Sequence, residues 1–273
     1  MRKLENIKII TDETIDFYPS FNEKEIVVIK NHLFLNGKEV SLTKKEFYEK
    51  ITDKKNHFTT SQANPEDFLE VFKKYSDYKI IVITATSKMS GINNSANIAK
   101  KEMPNNDIAV IDSESLSAGL SILADLGLHL IKEGESYDNI VKKLENLKHK
   151  IKLFFLLTNL DYLVSSGRVN KIIGFLGKVV NMKPLLEIKE GVLTSAGAMI
   201  LSKDMVNSFY EFLENKIRNT HKIFIIHNNL DAEMRALKSK LGRGYDIEII
   251  NFLNTLLGVY SGPECLAVGW VEE

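Results

Sequence analysis

The sequence has little of several residue types, and each scarcity excludes a class of protein. It holds one cysteine, Cys265, among 273 residues, so a disulfide within the chain is impossible and we expect a reducing, cytoplasmic location. No apolar run is long enough for an integral membrane segment, and the first residues lack a signal-peptide core. The formal net charge is zero, because 36 Lys and Arg residues balance 36 Asp and Glu residues. We therefore expect no nucleic-acid partner.

The motifs of common catalytic and metal sites are also missing. The chain has no G-x-S-x-G, no H-E-x-x-H and no phosphate-binding loop. Its six histidines are scattered without metal-ligand spacing, so we expect neither a bound metal nor a resident cofactor. His227 is kept as a functional candidate because it ends a predicted strand, whereas Cys265 is expected to be a small buried apolar residue.

The first half of the chain alternates short apolar runs with helical patterns. Strands are predicted at 7–11, 26–29, 79–84 and 108–111, and helices at 44–51, 65–75, 90–101 and 115–131. This alternation favours an α/β fold whose N-terminal domain, residues 1–150, contains a mainly parallel sheet.

The second half, residues 151–273, is predicted to form another α/β domain, and a helix at 137–150 precedes it. Strands are expected at 153–157, 182–188, 192–194, 222–227, 246–252 and 266–271, with a helix at 231–241. Glu190 and Gly191 predict a hairpin turn between two of these strands. One alternative is that the last strand returns to the first sheet.

Two turns rich in hydroxyl groups each precede a predicted helix. The first covers residues 59–62 and the second residues 84–91. Hydroxyls and backbone N–H groups at helix N-termini can hold a small anionic group, and we expect both turns at the carboxyl ends of the parallel strands. Asp12 and Asp112 also end strands, where capping of the next helix is the favoured interpretation over ligand binding.

Several motifs occur in a specific order along nearly the whole chain. They are Thr11-Asp12, Thr60-Ser61-Gln62, Ser87-Lys88-Met89-Ser90-Gly91, Leu160-Asp161-Tyr162-Leu163, Ser166-Gly167-Arg168-Val169, Met182-Lys183-Pro184-Leu185-Leu186 and Gly262-Pro263. In this order they resemble the DegV family. The resemblance implies two α/β domains with one long-chain fatty acid in an apolar tunnel between them. It also implies that some members present this ligand to a separate fatty acid kinase.

The resemblance implies a set of binding residues. Thr60 and either Ser87 or Ser90 would hold the ligand carboxylate, with Ser61, Gly91 and Tyr260 beside them, and Arg168 would dock a partner. No catalytic residue is implied, so we expect a lipid-binding protein rather than an enzyme. Candidates for the tunnel wall are Phe154, Phe155, Ile172, Ile173, Phe175, Leu176 and Val180.

The chain departs from the family pattern at two basic positions. Tyr260 stands where the family has a histidine, and Ile200 stands where it has an arginine. Because an arginine binds phosphate bidentately and isoleucine does not, these departures predict a poor carrier for a kinase. Two other functions stay open from the residues: a hydrolase or transferase with Ser87 or Ser90 as nucleophile, and a binder of sugar phosphates or nucleotides.

Overall fold

The structure is a computed structural model that describes residues 5–167, 182–201 and 204–272. Its strands are β1 Ile7–Asp12, β2 Ile26–Ile29, β3 His32–Leu35, β4 Lys38–Val40, β5 Phe58–Ser61, β6 Lys79–Thr84, β7 Ile108–Asp112, β8 Ile151–Leu157, β9 Met182–Lys189, β10 Val192–Leu201, β11 Lys222–Asn228, β12 Asp246–Asn251 and β13 Cys265–Val271. Its helices are α1 Lys44–Lys50, α2 Pro65–Lys74, α3 Ile92–Lys101, α4 Ala118–Lys132, α5 Tyr137–Leu147, α6 Asp161–Ser165, α7 Met205–Glu214, α8 Asp231–Leu241 and α9 Thr255–Ser261.

The first sheet is parallel, as predicted, with strand order β2-β1-β6-β7. Alternate residues of its buried strands face opposite helices, because side chains alternate across a strand. Ile10 and Ile80 pack on one side against α2 and α3, whereas Ile9 and Ile81 pack on the other side against α4 and α5. The continuous apolar runs in the sequence are therefore explained by a parallel sheet that is covered by helices on both faces.

The second sheet is mixed and has the order β10-β9-β8-β13-β11-β12. Only β11 and β12 pair in parallel among its described strands. One face packs towards α4, which also contacts the first sheet, and the other face packs on α7 and α8. Because β13 lies between β8 and β11, the alternative that the last strand returns to the first sheet is wrong. Every strand of this sheet follows residue 150, which is compatible with the proposed division at that point.

A third, small sheet with order β4-β3-β5 is antiparallel and was not predicted. Its strands are three or four residues long, so they give too little alternation to be recognised in the sequence. Leu33 and Phe58 of this sheet, together with Phe47 of α1, pack against Leu256 and Val259 of α9. The small sheet and α1 thus support α9, a helix that sequence analysis also missed.

The hairpin turn at Glu190 and Gly191 is confirmed. Both residues have positive φ, 51° and 75°, as a two-residue hairpin turn between β9 and β10 requires. The second strand of this hairpin extends to Leu201, beyond the predicted end at residue 194.

Candidate functional site

A cavity of about 550 Å³ lies between the loops of the first sheet and the inner face of the second. Its wall has two chemically different parts. Six of the residues that form what we call the apolar wall are Phe155, Leu157, Leu186, Leu193, Leu256 and Leu257. The residues of what we call the hydroxyl end are Thr60, Ser61, Gln62, Ser90, Gly91 and Tyr260. A cavity of this size and composition suits an elongated ligand with one polar end.

The hydroxyl end brings together side chains that are far apart in the sequence. Thr60 lies on β5, where it pairs with Leu33 of β3, and Tyr260 lies in the last turn of α9. The Thr60 hydroxyl is hydrogen-bonded to the Tyr260 hydroxyl. Both side chains are half-buried, so they face the cavity at its boundary with solvent. The small sheet and α9 therefore meet at a pair of hydroxyl groups.

A buried carboxylate fixes the start of α9. The side chain of Asn254 accepts the N–H of Leu257 at 3.0 Å and so caps the helix. Asn254 in turn donates its own backbone N–H to Asp16 at 2.6 Å, and Ser117 and Lys44 also donate to that carboxylate. Burial raises the pKa of Asp16, and its attraction to Lys44 partly offsets that rise. Asp16 thus holds the helix that carries Tyr260.

Two further aspartates hold the turn at residues 84–91. The carboxylate of Asp12 accepts the N–H groups of Ala85 at 2.7 Å and Thr14 at 2.9 Å. Burial raises the pKa of Asp12, while these hydrogen bonds act in the opposite direction. Asp112 accepts the backbone N–H of Ser87 at 3.2 Å. Both aspartates therefore hold loop backbone, instead of capping the next helix as the sequence suggested.

The same turn contacts the second sheet through Thr86. Its hydroxyl donates to the carbonyl of Gly191 at 2.7 Å, and Gly191 lies at the tip of the β9–β10 hairpin. A Cβ atom at Gly191 would come within 2.5 Å of the Thr86 hydroxyl, so this close approach requires glycine. The contact places the apolar residues of β9 and β10 beside the loops of the first sheet.

Gln62 joins the two turns. Its side-chain oxygen accepts the N–H of Gly91 at 2.7 Å, and its nitrogen donates to the Ser95 hydroxyl at 3.4 Å. Gly91 is the N-cap residue of α3 and has no side chain of its own to cap the helix. Gln62 therefore supplies this cap from the other turn.

The helix N-termini are less open than we expected. At α2, Asn64 and Asp67 form a reciprocal capping box, and at α3 the hydroxyl of Ser90 accepts the N–H of Ile92 at 3.2 Å. The first turn also lies elsewhere than predicted: residues 59–61 belong to β5 of the small antiparallel sheet, and they do not follow a strand of the parallel sheet. Side-chain hydroxyls, more than helix N–H groups, are thus what the hydroxyl end offers a ligand.

The structure brings together most of the predicted site residues. Thr60, Ser61, Ser90, Gly91 and Tyr260 all line the cavity. The side chain of Ser87 is exposed and is not part of the cavity lining, so the geometry favours Ser90 of the two candidate serines. Arg168 lies outside the described residues.

The apolar candidates divide between two sides of one strand. Phe155 lines the cavity, whereas Phe154 packs on the opposite face of β8, where its ring stacks on Trp270 at 5.4 Å. Phe154 is therefore excluded from the cavity wall, because neighbouring residues of a strand face opposite ways. The remaining candidates, Ile172, Ile173, Phe175, Leu176 and Val180, fall outside the described residues.

Sequence analysis missed several contributors to the cavity. Leu256 and Leu257 belong to α9, which the sequence analysis did not identify. Gln62 and Thr86 were present in the quoted turns but were not assigned to the site. The only feature of the sequence that could have identified Gln62 and Thr86 is their position, since each lies next to a candidate hydroxyl residue in one of the two turns.

The other singled-out residues lie away from the cavity. His227 is buried, its Nε2 lies 2.8 Å from the side-chain oxygen of Asn251, and it does not line the cavity. Cys265 is buried, as expected, and burial raises the pKa of its thiol. Within the described residues, no cluster of His, Cys, Asp or Glu side chains could hold a metal ion. None of the helices in these parts of the chain combines the length and apolar character needed to cross a bilayer.

Comparison with known proteins identifies the family. The family model described as "Uncharacterised protein, DegV family" matches residues 6–273. The chain belongs to the DegV family. A DegV domain-containing protein of Clostridium acetobutylicum is 31% identical over 280 residues, which cover 99% of this chain and 100% of that protein.

Two further relatives bear on the fold and the ligand. A protein of Thermotoga maritima named fatty acid-binding protein is 29% identical, with 96% of each chain covered. The B3 protein of the Streptococcus pneumoniae fatty acid kinase, whose structure was solved loaded with linoleic acid, superposes with a TM-score of 0.85. It is 24% identical, with 98% of this chain and 100% of that chain covered, and this likeness shows the shared DegV fold.

Proposed function

We propose that this DegV protein binds one long-chain fatty acid, with the tail along the apolar wall and the carboxylate at the hydroxyl end. The observation that carries the proposal is that one cavity is lined both by a large apolar set of side chains and by a set of hydroxyl groups. A family relative named fatty acid-binding protein, which matches 96% of the chain, supports the same ligand class.

The tail supplies most of the binding free energy in this proposal. Burial of apolar surface contributes about 0.8 kcal/mol per methylene, before the costs of association are subtracted. Phe155, Leu186 and Leu193 come from three neighbouring strands of the second sheet and present apolar surface to the cavity. This wall favours hydrocarbon over a sugar phosphate or a nucleotide.

The carboxylate needs hydrogen-bond donors, because a buried charge without them is strongly unfavourable. Thr60, Ser90 and Tyr260 each carry a hydroxyl at the hydroxyl end. We assign the carboxylate to these three groups, with Ser61 and Gly91 at the edge of the site. Ser90 replaces Ser87 in this assignment because the Ser87 side chain is exposed.

We further infer a non-catalytic role in the cytoplasm, with no cofactor besides the bound lipid. The protein would act as a carrier, and a fatty acid kinase is the partner that the family resemblance suggests, with Arg168 as a docking residue. Tyr260 in place of a histidine still predicts that the protein is a poor carrier for a kinase. Ile200 is buried in the core formed by β8 and α7, where an arginine would disrupt the packing. The Ile200 side chain therefore does not lie where it could contact a kinase.

Mass spectrometry of lipid extracted from the purified protein tests the ligand class. We expect a long-chain fatty acid in about equimolar amount. A nucleotide or sugar phosphate in its place would contradict the proposal, and so would covalent labelling of Ser90 by a fluorophosphonate, because that result indicates a nucleophilic serine.

A titration with paired variants tests the head-group residues. Thr60→Val with Ser90→Ala should weaken fatty-acid binding by about 1.5–3 kcal/mol for each hydrogen bond lost to the charged head. The matched control is Thr59→Val with Ser87→Ala, which makes the same chemical changes at exposed neighbouring side chains. We expect the control to bind like the wild type. If both double variants bind the fatty acid with equal affinity, Thr60 and Ser90 do not hold the carboxylate.

A further inference from the structure

A second cavity of about 450 Å³ lies beside the first and shares part of its wall. Among the described residues, Asn31 and Leu256 line both cavities. The two spaces differ in charge, because the described lining of the first cavity has uncharged side chains only. The charged or titratable side chains of the second cavity are Glu13, Lys30, His32, Glu39, Asp67 and Glu70. The shared wall therefore separates an uncharged cavity from a charged one.

Asn31 is held in this wall by its backbone and by its side chain. It comes two residues after the end of β2, so it lies at the carboxyl end of a parallel strand. Its backbone N–H donates to the Glu13 carboxylate at 3.0 Å, and its side-chain oxygen accepts the N–H of Ala63 at 2.9 Å. Burial raises the pKa of Asp12, and a hydrogen bond from the Asn31 side chain opposes that rise. Asp12 and Ala63 thus fix the orientation of the Asn31 amide.

The shared wall lies close to the expected position of the ligand head. β3 pairs with β5 so that Leu33 is opposite Thr60. Asn31 directly precedes β3, and its contact with Ala63 continues this pairing beyond the end of β5. A carboxylate held by Thr60 therefore lies near Asn31, and a head group that extends beyond the carboxylate meets this wall.

We propose that Asn31 is a specificity-determining residue, which closes the hydroxyl end so that a carboxylate fits and a longer head group does not. A fixed side chain excludes a larger ligand by steric overlap. Displacing Asn31 would also leave the N–H of the buried residue Ala63 without its acceptor, which is unfavourable. The inference rests on the proposed fatty-acid function and deepens it, because it names the residue that limits the size of the head.

The test compares two lipids with the same hydrocarbon chain on delipidated full-length protein. Oleic acid has the short head, N-oleoylethanolamine has a longer and uncharged head, and each displaces a fluorescent fatty acid at pH 7.5. We expect the wild-type protein to bind oleic acid at least tenfold more tightly, because the longer head overlaps Asn31. A smaller preference would overturn this inference and leave the proposed function intact. Failure of oleic acid to bind would overturn both.

Shortening Asn31 supplies a readout that a merely supporting role would not give. Asn31→Ala opens the wall towards the second cavity, so N-oleoylethanolamine should bind at least fivefold more tightly to this variant than to the wild type. If Asn31 only supported the neighbouring turn, its loss would weaken the binding of both lipids. The matched control is Asn97→Ala, which makes the same change at a half-buried asparagine whose side chain donates to Asn93 within α3, away from both cavities.

A milder variant keeps the test decisive if Asn31→Ala does not fold. Asn31→Ser shortens the side chain and keeps an oxygen on it, and we expect a gain of at least threefold for N-oleoylethanolamine. Circular dichroism establishes which variants are folded. No gain in a folded Asn31 variant would overturn the inference, and so would an equal gain in Asn97→Ala.

Discussion

The two parts of the cavity wall differ in how the fold builds them. The apolar wall comes largely from neighbouring strands of one sheet, β8, β9 and β10, which regular backbone pairing holds in place. The hydroxyl end is assembled from β5, the turn at residues 84–91 and α9, three segments that share no sheet. Backbone pairing within a sheet is enough to hold an apolar surface in place. Hydroxyl groups that make directional hydrogen bonds to a ligand need further contacts to fix their positions.

The supports of the hydroxyl end are polar contacts, of which those of the two aspartates are buried. Asp16 holds the start of α9, Asp12 holds the turn that leads to Ser90, and Gln62 connects that turn to the first one. The comparison therefore assigns affinity to the apolar wall and orientation of the ligand to the hydroxyl end. The following predictions are arranged by the size of the expected effect.

The largest effect should come from shortening the ligand. Going from a 16-carbon to a 10-carbon saturated fatty acid removes six methylenes, each worth about 0.8 kcal/mol, so binding should weaken by about 5 kcal/mol. Calorimetric titration of delipidated protein with both acids measures this difference. A loss below tenfold would mean that the hydroxyl end, not the apolar wall, dominates affinity.

The next largest effect is expected from the support of α9. Asp16→Ala leaves the buried N–H of Asn254 without its acceptor, and we expect the free energy of unfolding to fall by about 2–3 kcal/mol. Lys45→Met is the control on the neighbouring position of α1, because the ion pair of Lys45 with Glu49 is exposed and its loss should cost under about 1 kcal/mol. Urea unfolding measures both losses. Similar losses for both variants would show that the buried contacts of Asp16 stabilise the protein no more than an exposed ion pair does.

A smaller effect separates the two faces of β8. Phe155→Leu removes part of a ring from the apolar wall and should weaken fatty-acid binding by about 1 kcal/mol. Phe154→Leu makes the same change in the core on the opposite face, so it should lower stability by about 1–2 kcal/mol and leave binding unchanged. Equal binding losses would mean that the cavity extends through the sheet or that β8 itself has shifted.

The smallest effect is expected at the link between the two turns. Gln62→Leu removes the acceptor for the N–H of Gly91, but Gln62 is exposed and water can replace part of this bond. Binding should weaken by about 0.5–1 kcal/mol. The measurement is the same titration, with Gln62→Glu as a comparison that keeps the acceptor. If Gln62→Leu binds like the wild type, the link is not needed to place Ser90.

The sequence predicted the regular parts of the fold well and the assembled site less completely. Buried runs such as Ile26–Ile29 and Lys79–Thr84 gave strands with correct bounds, because parallel strands covered on both faces are continuously apolar. The family resemblance named Thr60, Ser90 and Tyr260, and all three line the cavity. That resemblance gave no reason to prefer Ser90 to Ser87, since the choice depends on which hydroxyl faces the cavity.

Other parts could not be derived from residue patterns. The run Leu153-Phe154-Phe155-Leu156-Leu157 is apolar on both faces, so it contains no alternation that tells which phenylalanine meets the ligand. The small sheet depends on pairing between residues 32–35 and 58–61, and α9 depends on contacts with that sheet. Such long-range contacts leave little trace in local periodicity.

The orientation of the bound lipid is the central claim, and a crystal structure with a fatty acid brominated at its last carbon tests it most directly. The account predicts the carboxylate within hydrogen-bond distance of the Thr60, Ser90 and Tyr260 hydroxyls. It also predicts a bromine anomalous peak among the leucine and phenylalanine side chains of β8 and β9. A bromine peak beside Thr60 and Tyr260, with the carboxylate against the apolar wall, would contradict the account.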